Sequence, residues 1–237
     1  MNIYNGIMSF VDLFFPKFCL GCGLLGTYIC PHCQKDLRYY EKSLCFYCKR
    51  ASLYGLTHPN CLKKFNIDGV SSIFYYDNVL KKIIKNVKYR LATEVGREFL
   101  KTIKPETIRE LSFYKRLSGR VYFQPVPLSA KKIRERGFNQ ALFLVKFFQR
   151  FIKFPVADFL IRVKETKPQA EIKNKKDRYQ NLRGAFKVDP ENHSALAGSK
   201  IILVDDVITS GSTIREAAKV LKKSGAGKVY VLTLARG

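Results

Sequence analysis

Residues 201–213 read Ile201-Ile202-Leu203-Val204-Asp205-Asp206-Val207-Ile208-Thr209-Ser210-Gly211-Ser212-Thr213. Four consecutive apolar residues mark a strand buried on both faces. Two carboxylates follow at its carboxyl end, where open α/β sheets place their ligands. The small-residue loop Thr209–Thr213 then opens a helical pattern over 212–223. Its backbone N–H groups and the positive end of the helix dipole make an anion cradle, to which the hydroxyls add donors. Acids beside an anion site look mismatched until their own ligand is considered. Adjacent carboxylates accept hydrogen bonds from vicinal hydroxyls, so a sugar with a 5′-phosphate fits both halves. A βα turn whose acids merely cap the helix is the bland alternative. The combination of buried strand, paired acids and hydroxyl-rich loop argues against it.

Outward from this stretch, strands alternate with helices. Gly69–Tyr76 and Val121–Leu128 read as strands, Phe159–Val163 and Phe186–Val188 as short extended pieces, and Lys228–Leu234 as a strand after the 212–223 helix. Leu80, Ile83, Ile84, Val87, Leu91, Val95 and Phe99 recur at helical spacing across 77–103. Lys81, Lys82, Lys85, Lys88 and Arg90 give that segment a basic face, either a solvated surface or a polyanion contact. A second helix is expected from about Asn139 to Phe151. Residues 104–120 read as a connection, the stretch after 128 as a basic loop, and 164–183, with seven Lys or Arg and no apolar period, as a mobile loop. The alternation predicts an α/β domain with a mostly parallel sheet.

The N-terminal quarter has a different texture. All seven cysteines fall within the first 61 residues, as Cys19/Cys22, Cys30/Cys33, Cys45/Cys48 and Cys61, and His58 repeats the same spacing before Cys61. Seven thiols and one imidazole suffice for two tetrahedral zinc ions. A tight turn between paired thiolates lets both face one ion while backbone N–H groups donate to the sulfurs, and Gly21 and Gly23 supply turn freedom in the first pair. Sequential pairing gives Cys19, Cys22, Cys30 and Cys33 for one ion and Cys45, Cys48, His58 and Cys61 for the other; a cross-braced pairing satisfies the spacing equally. A lone Cys-x2-Cys could be a redox pair, but four consecutive pairs favour metal. His32 reads as a neighbouring surface residue. Closed four-ligand sites are structural, holding together a segment too small for its own core. The expected division is therefore a 1–65 double zinc-ribbon module and a 66–237 α/β domain.

Composition bounds the rest. The chain has 237 residues, 46% of them hydrophobic, enough for one ordinary domain plus an appendix. Forty-three basic and nineteen acidic residues leave a net charge of +24. That field favours nucleic acid, phosphorylated small molecules or anionic lipid as partners. No run reaches the ~20 apolar residues needed to span a bilayer. Ile7–Phe15 reads as a short amphipathic helix and not a secretion signal. A cytoplasmic location is expected, where thiols stay reduced and clustered cysteines bind metal.

The 201–213 segment resembles the phosphoribosyl pyrophosphate (PRPP) binding motif of type I phosphoribosyltransferases over all thirteen positions. Gln124-Pro125-Val126-Pro127-Leu128 with Arg134-Glu135-Arg136-Gly137-Phe138-Asn139-Gln140 resembles a block of the late-competence ComF family. Thr166, Gln169, Arg178, Asn181 and Ala185-Phe186 resemble a further block, and the cysteine pairs resemble its double zinc ribbon. His58 departs from the family, which usually has cysteine there. The resemblance covers essentially the whole chain and implies a type I phosphoribosyltransferase-like parallel sheet flanked by helices behind the zinc ribbons. It implies that Asp205 and Asp206 are the catalytic acids holding the ribose hydroxyls, directly or through Mg²⁺. Val207, Thr209, Ser210, Gly211, Ser212 and Thr213 would complete the PRPP site. Lys131, Lys132, Arg134 and Arg136 would face the pyrophosphate, with Lys164, Arg178 and Arg183 on a loop that closes over it.

Two functions follow as expectations. One is Mg²⁺-dependent transfer of a phosphoribosyl group to an acceptor that the sequence does not name, its recognition built partly by residues 66–76 and the zinc module. The other is a non-catalytic role in natural transformation, in which the fold binds single-stranded DNA or a competence helicase. Phe147, Phe148, Arg150 and Phe151 interleave aromatic and basic residues as such a surface would, although Phe-rich helices are usually core.

Overall fold

The computed structural model describes residues 14, 16–87, 94–103, 111–166, 172 and 174–237. They divide into two compact units, Met1–Arg38 with Asp77–Ile103, and Tyr39–Tyr76 with Lys104–Gly237. The larger unit is built on a four-stranded sheet in the order β1 (Gly69–Tyr75), β6 (Lys228–Arg236), β5 (Lys200–Ile208), β2 (Val121–Pro125). Every pairing is parallel. Ile201, Ile202, Leu203 and Val204 are fully buried, as their unbroken apolar run requires. Ile201 and Leu203 join Val229 and Val231 of β6 and Ile214, Ala217 and Leu221 of the following helix in one apolar cluster.

The register positions the site. Pro125 at the end of β2 pairs with Val204, and the Val126 N–H donates to the Val204 carbonyl at 2.9 Å. The chain therefore leaves β2 beside the strand position just before Asp205. β2 stops short of the expected Leu128 because Pro125 and Pro127 bring no N–H to a ladder. β5 instead runs past the acids, pairing Asp205 with Thr233 and Val207 with Ala235.

The basic stretch after β2, expected as a loop, is a helix, Ala130–Arg136. Ser129 caps its start by accepting from the Lys132 N–H, and Gly137 closes it in the left-handed conformation. Helix Gln140–Phe148 is capped by the Asn139 side chain. It buries Phe147 and Phe148, so these rings are core and offer no stacking platform for bases. A short antiparallel pair, β3 (Leu160–Arg162) and β4 (Phe186–Val188), flanks helix Lys175–Leu182, which lies within the stretch expected to be a mobile loop. Within the expected 104–120 connection, helix Leu111–Lys115 buries Tyr114. Residues 167–171 and 173 lie outside the described residues, as do 104–110.

The smaller unit holds the first cysteine group, helix Pro31–Lys35, and helices Asn78–Val87 and Glu94–Lys101. The Glu98 carboxylate ties the cysteine loop to its helix, accepting from the Thr27 hydroxyl at 3.2 Å and the Tyr28 N–H at 3.3 Å. Leu80, Ile83, Ile84 and Phe99 are buried and Lys81, Lys82 and Lys85 exposed, as their period predicts. Residues 88–93, including Lys88, Arg90 and Leu91, lie outside the described residues, as does the Ile7–Phe15 segment apart from Phe14. Among the described residues no helix is long and apolar enough to cross a membrane.

Candidate functional site

β5, the 209–211 turn and helix Ser212–Lys223 form a concave site lined by Asp205 and by Val207 to Ile214. Both acids are held by their own backbone. The Asp206 N–H donates to Asp205 Oδ1 at 2.9 Å and the Val207 N–H to Asp206 Oδ1 at 2.8 Å. Each carboxylate is thus oriented by the next residue's N–H and stays half-exposed at the end of a buried strand. Hard carboxylate oxygens in this position are the donors that Mg²⁺ takes. In the loop, the Ser210 and Ser212 hydroxyls lie 2.9 Å apart, and the Ser212 N–H donates to Ser210 Oγ at 3.3 Å. The Gly237 N–H donates to the Ile208 carbonyl at 2.9 Å, fixing the strand end from which the loop departs.

The basic candidates are distributed more widely. Lys131, Lys132, Arg134 and Arg136 lie on the Ala130–Arg136 helix. Its first turn is joined to Glu165, whose Oε1 accepts from the Lys131 N–H at 3.1 Å. Lys131 also pairs with Glu135 at 4.0 Å on the exposed face. Lys164 lends its carbonyl to Arg162 Nε at 3.4 Å. Arg178 donates through Nε to the Ile172 carbonyl at 2.7 Å, an intra-segment tie. Arg183 is exposed at the end of helix Lys175–Leu182.

Arg162, which sequence reasoning passed over, is electrostatically coupled to Asp205. Its guanidinium is largely desolvated, lies over the Phe186 ring at 5.4 Å and bonds the Thr166 hydroxyl. Burial pulls its pKa down, and the charges of Asp205 and Glu165 oppose that shift. Glu165 is held below the usual carboxylate range by the Ser129 hydroxyl, then the Lys131 N–H and the charges of Arg162 and Arg134. Arg162 thus feels the charges of both Asp205 and Glu165, and Glu165 is hydrogen-bonded to the first turn of the 130–136 helix. No sequence motif marks Arg162; its position on β3 is the signal.

Other motif residues are scaffold. Gln124 is buried, and its Oε1 accepts from the Phe159 N–H at 2.7 Å and the Leu160 N–H at 3.3 Å while Nε2 donates to the Pro125 carbonyl. It bolts the approach to β3 onto β2. Asn139 caps its helix through Oδ1 and donates through Nδ2 to the Val126 carbonyl at 3.1 Å.

The eight zinc-ligand candidates gather in sequential groups, Cys19, Cys22, Cys30, Cys33 and Cys45, Cys48, His58, Cys61, with the ligand atoms of each group within 4.8 Å of one another. A tetrahedron of sulfurs with metal bonds of about 2.3 Å has edges of about 3.8 Å, close to the 3.6 Å between the Cys22 and Cys30 sulfurs. In the first group the Cys30 N–H donates to the Cys19 sulfur and the Cys33 N–H to the Cys30 sulfur, each at 3.4 Å. Burial would raise the Cys19 thiol, but N–H groups of Cys30, Cys22 and Gly21 outweigh it and lower it to about 6. A Cβ at residue 21 would stand 2.6 Å from the Cys33 sulfur, so Gly21 is there for close approach. In the second group His58 Nδ1 lies 3.2 Å from the Cys48 sulfur, while Nε2 lies 3.0 Å from the Ala51 carbonyl. A carbonyl only accepts, so the proton sits on Nε2 and the Nδ1 lone pair faces the sulfurs, the arrangement a zinc-bound histidine requires. Both groups fit a structural zinc ion, and His58 serves where the family usually has cysteine.

A family model described as "Phosphoribosyl transferase domain" matches residues 140–237. The chain is 31% identical over 211 residues to Competence protein F of Haemophilus influenzae, covering 88% of this chain and 90% of that protein. It is 27% identical over 218 residues to Competence protein ComFC of Bacillus subtilis, covering 88% and 84%. It is 27% identical over 212 residues to DNA utilization protein YhgH of Salmonella typhimurium, covering 88% and 90%. The chain belongs to the ComF family of competence proteins.

Proposed function

We propose that this chain binds PRPP with Mg²⁺ and transfers its phosphoribosyl group to an acceptor. The observation that carries this reading is the acid pair, fixed by its own backbone N–H groups, beside a hydroxyl-rich turn that opens helix Ser212–Lys223. Thr209, Ser210, Gly211, Ser212 and Thr213 hold the 5′-phosphate through N–H groups, hydroxyls and the helix dipole. Asp205 and Asp206 accept from the ribose 2′- and 3′-hydroxyls, and Val207 lines the site between the two. In the reaction the bond from the anomeric carbon to the pyrophosphate oxygen breaks, and its electron pair leaves with pyrophosphate. The acceptor's lone pair forms the new bond, and the acceptor gives up a proton. Bound Mg²⁺ supplies neutralisation of the departing charge. Arg162 and the basic groups of the 130–136 helix supply positive potential on the side where that charge develops. The zinc groups hold structure.

The thermal midpoint tests the binding step. At PRPP about a hundredfold above Kd, ligand binding adds about 2.7 kcal/mol, a rise of roughly 5–10 °C for a chain of this size. The rise is expected with Mg²⁺ and PRPP together and much less with ribose 5-phosphate, which lacks the pyrophosphate. No rise in a folded, zinc-loaded sample refutes the reading.

A second reading rests on the charge of +24 and on the names of the relatives, competence and DNA utilization proteins. In it the cytoplasmic protein handles single-stranded DNA, or docks on a competence helicase, whether or not it transfers phosphoribosyl groups. DNA binding of this kind weakens steeply with salt and survives Asp205→Asn. Undetectable binding at low ionic strength removes it.

A further inference from the structure

Gly211 and Phe46 are in close contact although 165 positions separate their numbers. Gly211 has φ 74°, and a Cβ placed on it would collide with Phe46 Cζ. The aromatic ring thus lies against the backbone of the phosphate turn where any side chain would collide with it. Phe46 is 2% exposed and occupies the first spacer position of the Cys45–Cys48 pair. A turn fixes the pair: the Lys49 N–H donates to the Cys45 carbonyl at 3.0 Å. The ring of Tyr47 stands edge-on to Phe46 at 5.3 Å, and its hydroxyl accepts from the Ile67 N–H at 2.9 Å.

The same ring collects cations. The Arg215 guanidinium, in the first turn of the phosphate helix, lies 4.7 Å from the Phe46 centroid and 4.9 Å from that of Tyr47. Arg236, buried at the end of β6, lies 5.3 Å from Phe46, and the Lys49 ammonium 5.0 Å. Arg215 Nε is buried without a hydrogen-bond partner among the described residues, so its side chain is steered by the two rings. Desolvated cation–π contacts are strong enough to do this. The turn itself consists of Thr209, Ser210 and Gly211, too small to hold a shape by their own packing.

We propose that Phe46 is a positioning residue for the phosphate turn: loaded with metal, the Cys45, Cys48, His58 and Cys61 group sets the Phe46 ring against Gly211 and Arg215 and so holds the turn open for phosphate. The second metal centre then acts on ligand binding through one side chain, beyond its part in stability. This inference rests on the PRPP reading for its ligand but not for its geometry.

The test compares wild type, Phe46→Leu and Phe148→Leu. Leucine keeps apolar bulk at 46 without the flat ring; Phe148, fully buried on the 140–148 helix, controls for loss of a core aromatic. Zinc content and circular dichroism are measured first, then calorimetric affinity for PRPP with Mg²⁺, then hydrogen exchange of 209–215 without ligand. Phe46→Leu is expected to keep its zinc and fold, to bind PRPP at least tenfold more weakly, and to exchange faster at 209–215, while Phe148→Leu binds as wild type does. Wild-type affinity and exchange in Phe46→Leu, or an equal loss in Phe148→Leu, overturns the proposal. If wild type binds no PRPP, the ligand reading fails by itself, and the exchange rates still decide the role of Phe46. Should Phe46→Leu fail to fold, Phe46→Tyr, which keeps the ring, serves with the zinc-depleted wild type: exchange at 209–215 must rise on depletion and stay low in the tyrosine variant, and any other pattern overturns the proposal.

Discussion

The Lys222 ammonium sits 2.7 Å from Oδ2 of Asp68, with side-chain exposures of 8% and 5%. The same carboxylate accepts from the Val229 N–H at 2.8 Å and approaches the Lys228 ammonium at 3.1 Å. Asp68 thereby locks the entry of β1 to the start of β6 and the end of helix Ser212–Lys223. Removing one partner of a buried pair leaves the other charge uncompensated, at a cost of about 3–5 kcal/mol. Asp68→Ala should therefore lower the denaturant midpoint sharply. Asp68→Asn, which still accepts from Val229, should lose less. Equal and small losses in both variants would show that the ion pair contributes little.

Metal content follows from the sequential grouping. Elemental analysis of the wild type should find two zinc ions per chain, one for each ligand group. Cys30→Ser should remove the first and leave the second, and Cys45→Ser the reverse. His58→Cys, which restores the family's usual ligand, should keep both. Loss of both ions in either serine variant would show that the two groups do not bind metal independently.

Glu165 ties the 130–136 helix to Arg162, and its pKa reports that tie. The Ser129 hydroxyl, the Lys131 N–H and nearby guanidinium groups hold it below the ordinary carboxylate value. A carboxyl depressed in the folded state contributes stability that is present above the unfolded value, about 4.3, and is lost as pH falls through the folded value. Carbon-detected NMR titration should place Glu165 below free glutamate, and Ser129→Ala should move it upward. A Glu165 that titrates at the ordinary value, unmoved by Ser129→Ala, would sever the link between the 130–136 helix and the acid pair.

The core of the site was legible because it is local. Ile201–Val204 needs burial on both faces, the small residues after Ile208 need a turn, and these are neighbours in the chain. The cysteine pairs were legible for the same reason, but their grouping was not, since the spacing fits two connectivities. Helix Ala130–Arg136 was hidden because Ile133, its one large apolar residue, is 38% exposed; caps at Ser129 and Gly137 specify it, not a buried stripe. Helix Lys175–Leu182 buries only Leu182 among its described side chains and so shows no apolar period either. Arg162 and Phe46 act through contacts with distant residues, on which neither composition nor spacing bears. Phe147 and Phe148 of the 140–148 helix are buried, as the usual reading of a Phe-rich helix as core has it, and their alternation with basic residues is no base-stacking surface.

The measurement that bears most directly on the phosphoribosyl site is calorimetric titration of PRPP with Mg²⁺ into wild type and into an Asp205→Asn, Asp206→Asn double variant, both zinc-loaded. Saturable binding by the wild type and its loss in the folded double variant are the predicted result. Equal binding by both, or none by either, would contradict the assignment of the acid pair and the 209–213 turn to a phosphoribosyl ligand.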